Sequence, residues 1–285
     1  MNEINQKTLV SPVKFNGIGL HSGQKSEITI NPAKENEGIV FKRIDLKENN
    51  IIEANFKNVS SAKLCTTLEN KHGAKVSTVE HLLAALYITG IGNAFVEINC
   101  EEVPIMDGSS KDFLTVLTET NLISQAKKRK YLKISNKIEL VEGEKKISIE
   151  PHNSLEVDFQ LKYENKIIGK QKNIIDFQKD DLKNVSSSRT FCLFEDIEKI
   201  KKNGLAKGGS LDNAVVVDKD KILNNGGLRN DKEFVNHKIL DLSGDFMLSG
   251  HRILGKVICN QGGHELTNSF LRKIFNTAKS FKFIE

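Results

Sequence analysis

Cysteine is scarce and scattered: Cys65, Cys100, Cys192 and Cys259 lie far apart in 285 residues, and no C-x-x-C pair brings two together. No disulfide framework is written in this spacing, and a reducing compartment suits it. Nor does any stretch approach the roughly 20 apolar residues that a membrane-spanning helix needs. The N-terminal M-N-E-I-N-Q-K-T-L-V lacks the continuous apolar run of a secretory signal. A cytoplasmic location is expected, with at most peripheral membrane contact. Charge of one sign is also missing, since 42 Lys and Arg face 37 Asp and Glu for a formal net of +5. That excess suits an anionic ligand without requiring one. The tightest basic cluster, residues 127–130, has no interleaved aromatics; it reads as a solvated linker, and nucleic acid is not an expected partner.

What is present is a globular composition, 38% hydrophobic and 28% charged, in a chain long enough for two ordinary domains. Strand-like alternation marks residues 25–31, 38–43 and 51–56 early on, and 146–150 and 155–161 later. The run V-S-T-V-E-H-L-L-A-A-L-Y-I-T-G, residues 76–90, predicts a helix capped by Ser77 or Thr78 and stopped by Gly90. A strand (92–99) and a second helix (108–120) follow it. Past residues 234–246 come a strand (251–260) and a helix (266–278) in the same order. The expected fold is therefore α+β, a duplicated sheet-plus-helix unit divided into 1–126 and 131–285.

The second organising stretch, F-V-N-H-K-I-L-D-L-S-G-D-F, places His237 and Asp241 four residues apart, on one face if helical. An imidazole and a carboxylate so spaced are two arms for a divalent metal. Glu80 and His81 open the equivalent helix of the first half, so His81 is a third ligand candidate across the domain junction. Three ligands leave an open position, the pattern of catalytic rather than structural zinc, and two imidazoles suit zinc better than a hard octahedral ion. Glu80, beside a ligand without being one, is placed to act as general base. The H-E-x-x-H helix is absent, which removes the common metalloprotease reading. In the loop G-I-G-L-H-S-G the G-x-G-x-x-G spacing fails and a tight loop between strands is expected, with His21 an ordinary loop histidine from the residues alone, though its imidazole can reach a ligand.

The runs G-L-H-S-G, T-V-E-H-L-L-A-A-L, I-M-D-G-S-S, S-R-T-F, G-G-S-L-D-N-A-V-V, H-K-I-L-D-L-S-G-D and G-G-H-E-L-T-N stand in order from Gly19 to Asn268. Together they resemble the UDP-3-O-acyl-N-acetylglucosamine deacetylase family of lipid A biosynthesis in Gram-negative bacteria. The resemblance implies a zinc amidase that releases acetate from the 2-amino group of an acylated UDP-sugar, with helices sandwiched between sheets and the site at the domain junction. It implies Glu80 as general base, His81, His237 and Asp241 as Zn2+ ligands, and His264, oriented by Asp245, as the group that stabilises the oxyanion and protonates the amine. It further implies Thr190 as a donor to that oxyanion, Phe191 beside it, Lys238 on a substrate phosphate and Cys65 at the nucleotide end.

The segment 195–217 matches the family insert that forms a hydrophobic passage for the acyl chain, here with Leu193, Phe194, Ile197, Leu205 and Ala206 as its expected lining. The family often has a cysteine where this chain has Ala206. A monomer without a further fused domain is expected. Two other readings stay open, a zinc amidase acting on another acylated amino sugar and a non-catalytic metal-stabilised module that binds a nucleotide sugar or lipid. Glu80 and His264 discriminate, because a structural metal site needs neither.

Overall fold

The computed structural model describes residues 5–285, so the first four residues of the expected first domain, and of the stretch read for a secretory signal, lie outside it. The first half runs β1 (Asn5–Leu9), β2 (Val13–Ile18), β3 (Lys25–Pro32), β4 (Ile39–Arg43), β5 (Ile51–Glu53), β6 (Val59–Ser61), β7 (Thr67–Glu69), β8 (Lys75–Val76), α1 (Glu80–Thr89), β9 (Ala94–Ile98), α2 (Lys111–Glu119) and β10 (Leu122–Lys128). Then come β11 (Tyr131–Ile134), β12 (Ile138–Glu142), β13 (Lys145–Glu150), β14 (Leu155–Lys162), β15 (Lys170–Asp176), α3 (Lys183–Ser186), β16 (Phe191–Leu193), α4 (Phe194–Lys202), β17 (Val215–Asp218), β18 (Lys221–Ile222), α5 (Glu233–Met247), β19 (Arg252–Asn260), α6 (His264–Asn276) and β20 (Phe281–Ile284). The protein is α+β.

Two sheets carry the architecture, and their topologies match. In the five-stranded sheet β2-β3-β9-β4-β5, the strand after α1 lies between an antiparallel β3 and a parallel β4. In the seven-stranded sheet, the strand after α5, β19, lies between an antiparallel β13 and a parallel β14. The outer pairs β4–β5 and β14–β15 are antiparallel in both. Strand alternation aims one face inward: Leu155, Val157, Phe159 and Leu161 of β14 are buried while the residues between them are not.

The helices divide by their patterning. In α2 and α6 one apolar stripe is buried, Phe113 and Leu117 in the first, Leu266, Phe270, Leu271 and Ile274 in the second. By contrast α1 is apolar all round, with Glu80 to Tyr87 buried throughout, and α5 buries every residue except Lys238. These two pack on each other at the centre; α5 also lies on β14, β15 and β19, α6 on β12 and β13, and α2 on β2. A single apolar core runs through both halves.

Three local expectations need correction. The basic stretch 127–130 is not a linker throughout, because β10 continues to Lys128 and pairs with β1; backbone pairing overrides a charge run whose side chains can stay in water. Neither Ser77 nor Thr78 caps α1: Val79 holds the N-cap position without a side-chain bond, and Thr78, at φ 55°, donates its hydroxyl to Glu102 Oε1 at 2.9 Å. The last helix begins at His264, two residues before its expected start. Gly90 does end α1, in the left-handed region at φ 80°. Among the described residues, no helix is long and apolar enough to cross a membrane.

Candidate metal and acid–base centre

The crossing of α1 and α5 is set by a missing side chain. A Cβ on Gly244 would lie 2.0 Å from the carbonyl oxygen of Glu80 and 2.9 Å from its carbon, both backbone atoms with nowhere to go. The first turn of α1 is thereby pressed against the last turns of α5. Alanine in a helix interior is intrinsically favoured over glycine by about 1 kcal/mol, so the clash decides the sign. Gly244→Ala is expected to lower stability by about 1–3 kcal/mol, the usual cost of overpacking, and to weaken metal binding with it. A thermal melt showing a more stable variant would mean that the helices do not meet this closely.

At that crossing stand His81, His237 and Asp241, at most 4% exposed, with one ligand atom from each within 4.8 Å of the others. Asp241 Oδ1 is 3.3 Å from His237 Nε2 and 3.5 Å from His81 Nε2, and the two rings meet edge to face at 5.0 Å. The Nδ1–H of His237 donates to the carbonyl of Ser188 at 3.0 Å, which turns the lone pair of Nε2 inward. Burial drives His237 down to about 3, so its imidazole is neutral and free to offer a lone pair. Burial alone would raise the Asp241 carboxyl, but His237, Lys238 and His264 around it hold it well below the usual range. Asp241 Oδ1 and His81 Nδ1 are buried without a hydrogen-bond partner. Unsatisfied buried polar atoms are costly, and a two-imidazole, one-carboxylate donor set fits a divalent transition metal. The three residues form a possible metal site.

Facing it is a chain of acid–base groups. His264, first residue of α6, bonds through Nδ1 to Asp245 Oδ2 at 2.7 Å and turns Nε2 toward Glu80 Oε1, 3.6 Å away, and Asp241 Oδ2, 3.8 Å away. Burial would lower His264, but Asp245, Glu80 and Asp241 outweigh it and hold the imidazole raised to about 10. Glu80 is pushed up from the ordinary carboxylate range, by burial first. Thr66 ties the two carboxylates together: its N–H donates to Glu80 Oε2 at 3.0 Å and its hydroxyl to Asp245 Oδ1 at 2.6 Å.

The I-M-D-G-S-S turn braces the second half against this centre. Ser110 Oγ donates to the His81 carbonyl at 2.6 Å while its N–H donates to Ser186 O, at the end of α3, at 3.0 Å. Thr190 N–H donates to Gly108 O at 2.7 Å. Asp107 pairs with Arg229 at 2.7 Å, and Arg189 is bound by the fully buried Glu233 at 2.7 Å. Thr66, Ser110, Ser188, Glu102 and Glu233 were not anticipated. Their work is done through the backbone or through long-range contacts; Ser110 stands in I-M-D-G-S-S, Ser188 in S-R-T-F and Thr66 beside Cys65 in L-C-T-T, while Glu102 and Glu233 had no signal.

Thr190 and Phe191 border an apolar cavity of about 400 Å3 walled also by Leu20, His21, Phe194, Ile197 and Ala206. Leu193 and Leu205, expected in this lining, are not among its walls; Leu205 sits in the tight turn after α4, its N–H donating to Ile200 O. His21 Nδ1 accepts from Ala206 N–H at 3.4 Å, and its Nε2 is buried without a partner. Lys238 donates Nζ to Asp241 Oδ2 at 3.0 Å and lies 5.5 Å over the Phe191 ring. Cys65 is buried near Glu80, its thiol pushed up to about 12 by burial first.

A family model described as UDP-3-O-acyl N-acetylglycosamine deacetylase matches residues 6–276. Curated relatives with the name UDP-3-O-acyl-N-acetylglucosamine deacetylase align over nearly the whole chain. That of Pseudoalteromonas translucida is 41% identical over 283 residues, covering 98% of this chain and 93% of the relative. Those of Idiomarina loihiensis and Pasteurella multocida are 40% and 39% identical over 284 residues, covering 99% of this chain and 93% of each relative.

Proposed function

The chain belongs to the UDP-3-O-acyl-N-acetylglucosamine deacetylase family, and from that premise we propose a zinc hydrolase that converts UDP-3-O-acyl-N-acetylglucosamine and water to UDP-3-O-acyl-glucosamine and acetate, in lipid A biosynthesis. The observation that carries the reading is a buried two-imidazole, one-carboxylate cluster faced by Glu80 and a protonated His264. Zinc held by His81, His237 and Asp241 would supply Lewis acidity at the scissile carbonyl and make water more acidic.

The chain's own residues account for the proton traffic. Thr66 N–H holds Glu80 Oε2, which leaves Oε1 to take a proton from the attacking water, and the raised pKa improves Glu80 as a base near neutral pH. Water oxygen bonds to the amide carbon, and the carbonyl oxygen becomes an oxyanion. His264 Nε2–H and the Thr190 hydroxyl donate to that oxyanion. As the C–N bond breaks, His264 passes its proton to the sugar nitrogen and acetate departs. Lys238 spends one of its three N–H groups on Asp241 and has two for a substrate phosphate. Phe191, His21 and Ala206 border the apolar cavity read as the acyl passage, and Cys65 lies toward the nucleotide.

A module that only binds would have no use for a raised carboxylic acid opposite a raised imidazole, which argues for catalysis. We further read the two halves, 1–126 and 131–285, as copies of one unit, and the protein as a cytoplasmic monomer that touches the membrane at most peripherally. The deciding assay offers UDP-3-O-acyl-N-acetylglucosamine to zinc-loaded and chelator-stripped protein. Acetate release by the loaded form alone is expected; none from either would sink the reading.

The acid role has a pH signature. With Asp245 replaced by Asn, the largest charge that raises His264 is gone while its burial remains, so its pKa falls. The alkaline limb of kcat/KM, where His264 loses its proton, is expected to move to lower pH by about 1–3 units. A limb that stays in place would show that another group sets it.

A further inference from the structure

Away from the metal cluster, at the other end of α1, lies a cavity of about 430 Å3. At a rise of about 1.5 Å per residue, Gly90 is roughly 15 Å along the axis from Glu80. The first half contributes Gly38, Glu53 and the turn after α1; the connection between the halves contributes Arg129 and Lys130, and the second half the turn before β19. Arg129, Lys130 and Arg252, with His251 beside them, oppose two acids, Glu37 and Glu53.

The arginines are disposed unusually for a purely structural role. Arg129 Nη2 donates to Gly90 O at 2.5 Å and Arg252 Nη1 to Tyr87 O at 2.6 Å, the latter with its guanidinium 4.0 Å over the Tyr87 ring. A Cβ on Gly90 would meet two nitrogens of Arg129 at 3.4 and 3.8 Å and one of Arg252 at 3.9 Å, so both forks converge on one point. Phenols rather than carboxylates stand beside them, Tyr131 for Arg129 and Tyr87 for Arg252. One cation is enough to satisfy a helix C-terminus; two side by side repel, and burial together with Arg252 lowers the affinity of Arg129 for its proton. A guanidinium has five N–H donors in a planar fork matched to a pair of oxygens, and each of these carbonyl bonds occupies only one.

We infer that Arg129 and Arg252, with Lys130 at the rim, form a second binding site for a small oxyanion, one that presents two oxygens, as phosphate or carboxylate, to the converging guanidiniums. Its occupant would neutralise the repulsion and link the end of α1 to the start of β19, and so would raise the melting temperature. The site is independent of the deacetylase reading, since it shares no residue with that centre.

Calorimetric titration of inorganic phosphate, with acetate as a second arm, into the zinc-loaded protein tests it. Besides any binding at the metal centre, one saturable site that depends on Arg129 is expected. Arg129→Gln should weaken it by about tenfold or more, the scale of a lost charge-assisted bond; Glu53→Gln should tighten it several-fold, and Lys238→Ala should leave it alone. The arm that binds identifies phosphate or carboxylate as the source. Absence of saturable binding in both arms, or a site lost in Lys238→Ala and intact in Arg129→Gln, overturns the inference. If Arg129→Gln fails to fold, the Glu53 variant still decides, because an affinity indifferent to that charge places the anion elsewhere.

Discussion

Glu80→Gln is expected to retain its metal and lose turnover by about 10² to 10⁴, the usual worth of a positioned general base. The substitution keeps the volume and the Thr66 N–H contact to one side-chain oxygen, so packing at the α1–α5 crossing is preserved. What goes is the ability to accept a proton at the atom 3.6 Å from His264 Nε2. Loss of the carboxylate charge also removes part of what raises His264, so the alkaline limb should move down modestly as well. Metal analysis and kcat measured on one preparation separate the outcomes. Undiminished kcat would dismiss Glu80 as the base; loss of metal in step with activity would make it a ligand or a scaffold.

His237→Ala is the complementary case, with metal content and activity falling together. The imidazole is 1% exposed and held by Ser188, so its removal leaves a void beside Asp241. Truncating one member of a buried polar cluster typically costs about 3–5 kcal/mol when a charge is left uncompensated. Here Lys238 still neutralises Asp241 at 3.0 Å, which should hold the loss of stability below that range while affinity for zinc collapses. Full zinc occupancy in the variant would take His237 out of the ligand set. Because the carboxylate and His81 stay, partial rescue of metal content by added imidazole is a further check that the void is at a ligand position.

The parts of this molecule legible from sequence were those governed by short spacing. His237 and Asp241 share a face because a helix repeats every 3.6 residues, and α1 and its Gly90 stop follow from local propensity. His81 joined them only through the match between the halves, and His264 and Asp245 through resemblance, since nothing in spacing says that the first residue of α6 meets the end of α5. Illegible were the residues that act across the chain by one hydrogen bond. Ser110 bridges the His81 carbonyl and α3 with a side chain common to any turn. Thr66 joins Glu80 to Asp245, which lies 179 positions beyond Thr66 itself. Thr78 looked like a helix cap and instead serves Glu102, a preference settled by a buried carboxylate that needed donors. The charge run ending β10 misled because sequence shows the side chains and not the backbone partner, β1.

That α1 is apolar on all its faces has a consequence for how the protein is made. Synthesis delivers this helix, with Glu80 and His81 at its head, long before α5 exists to cover it. At about 5–20 residues per second, the chain between His81 and Asp241 takes roughly 8–30 s to emerge from a ribosome. Throughout that interval a greasy helix lacks its partner, which makes the nascent first half a client for chaperones and a substrate for proteases. Assembly of the His81, His237 and Asp241 cluster is then a terminal event of biogenesis, and a truncated product ending before α5 should be cleared by the cell, not stored.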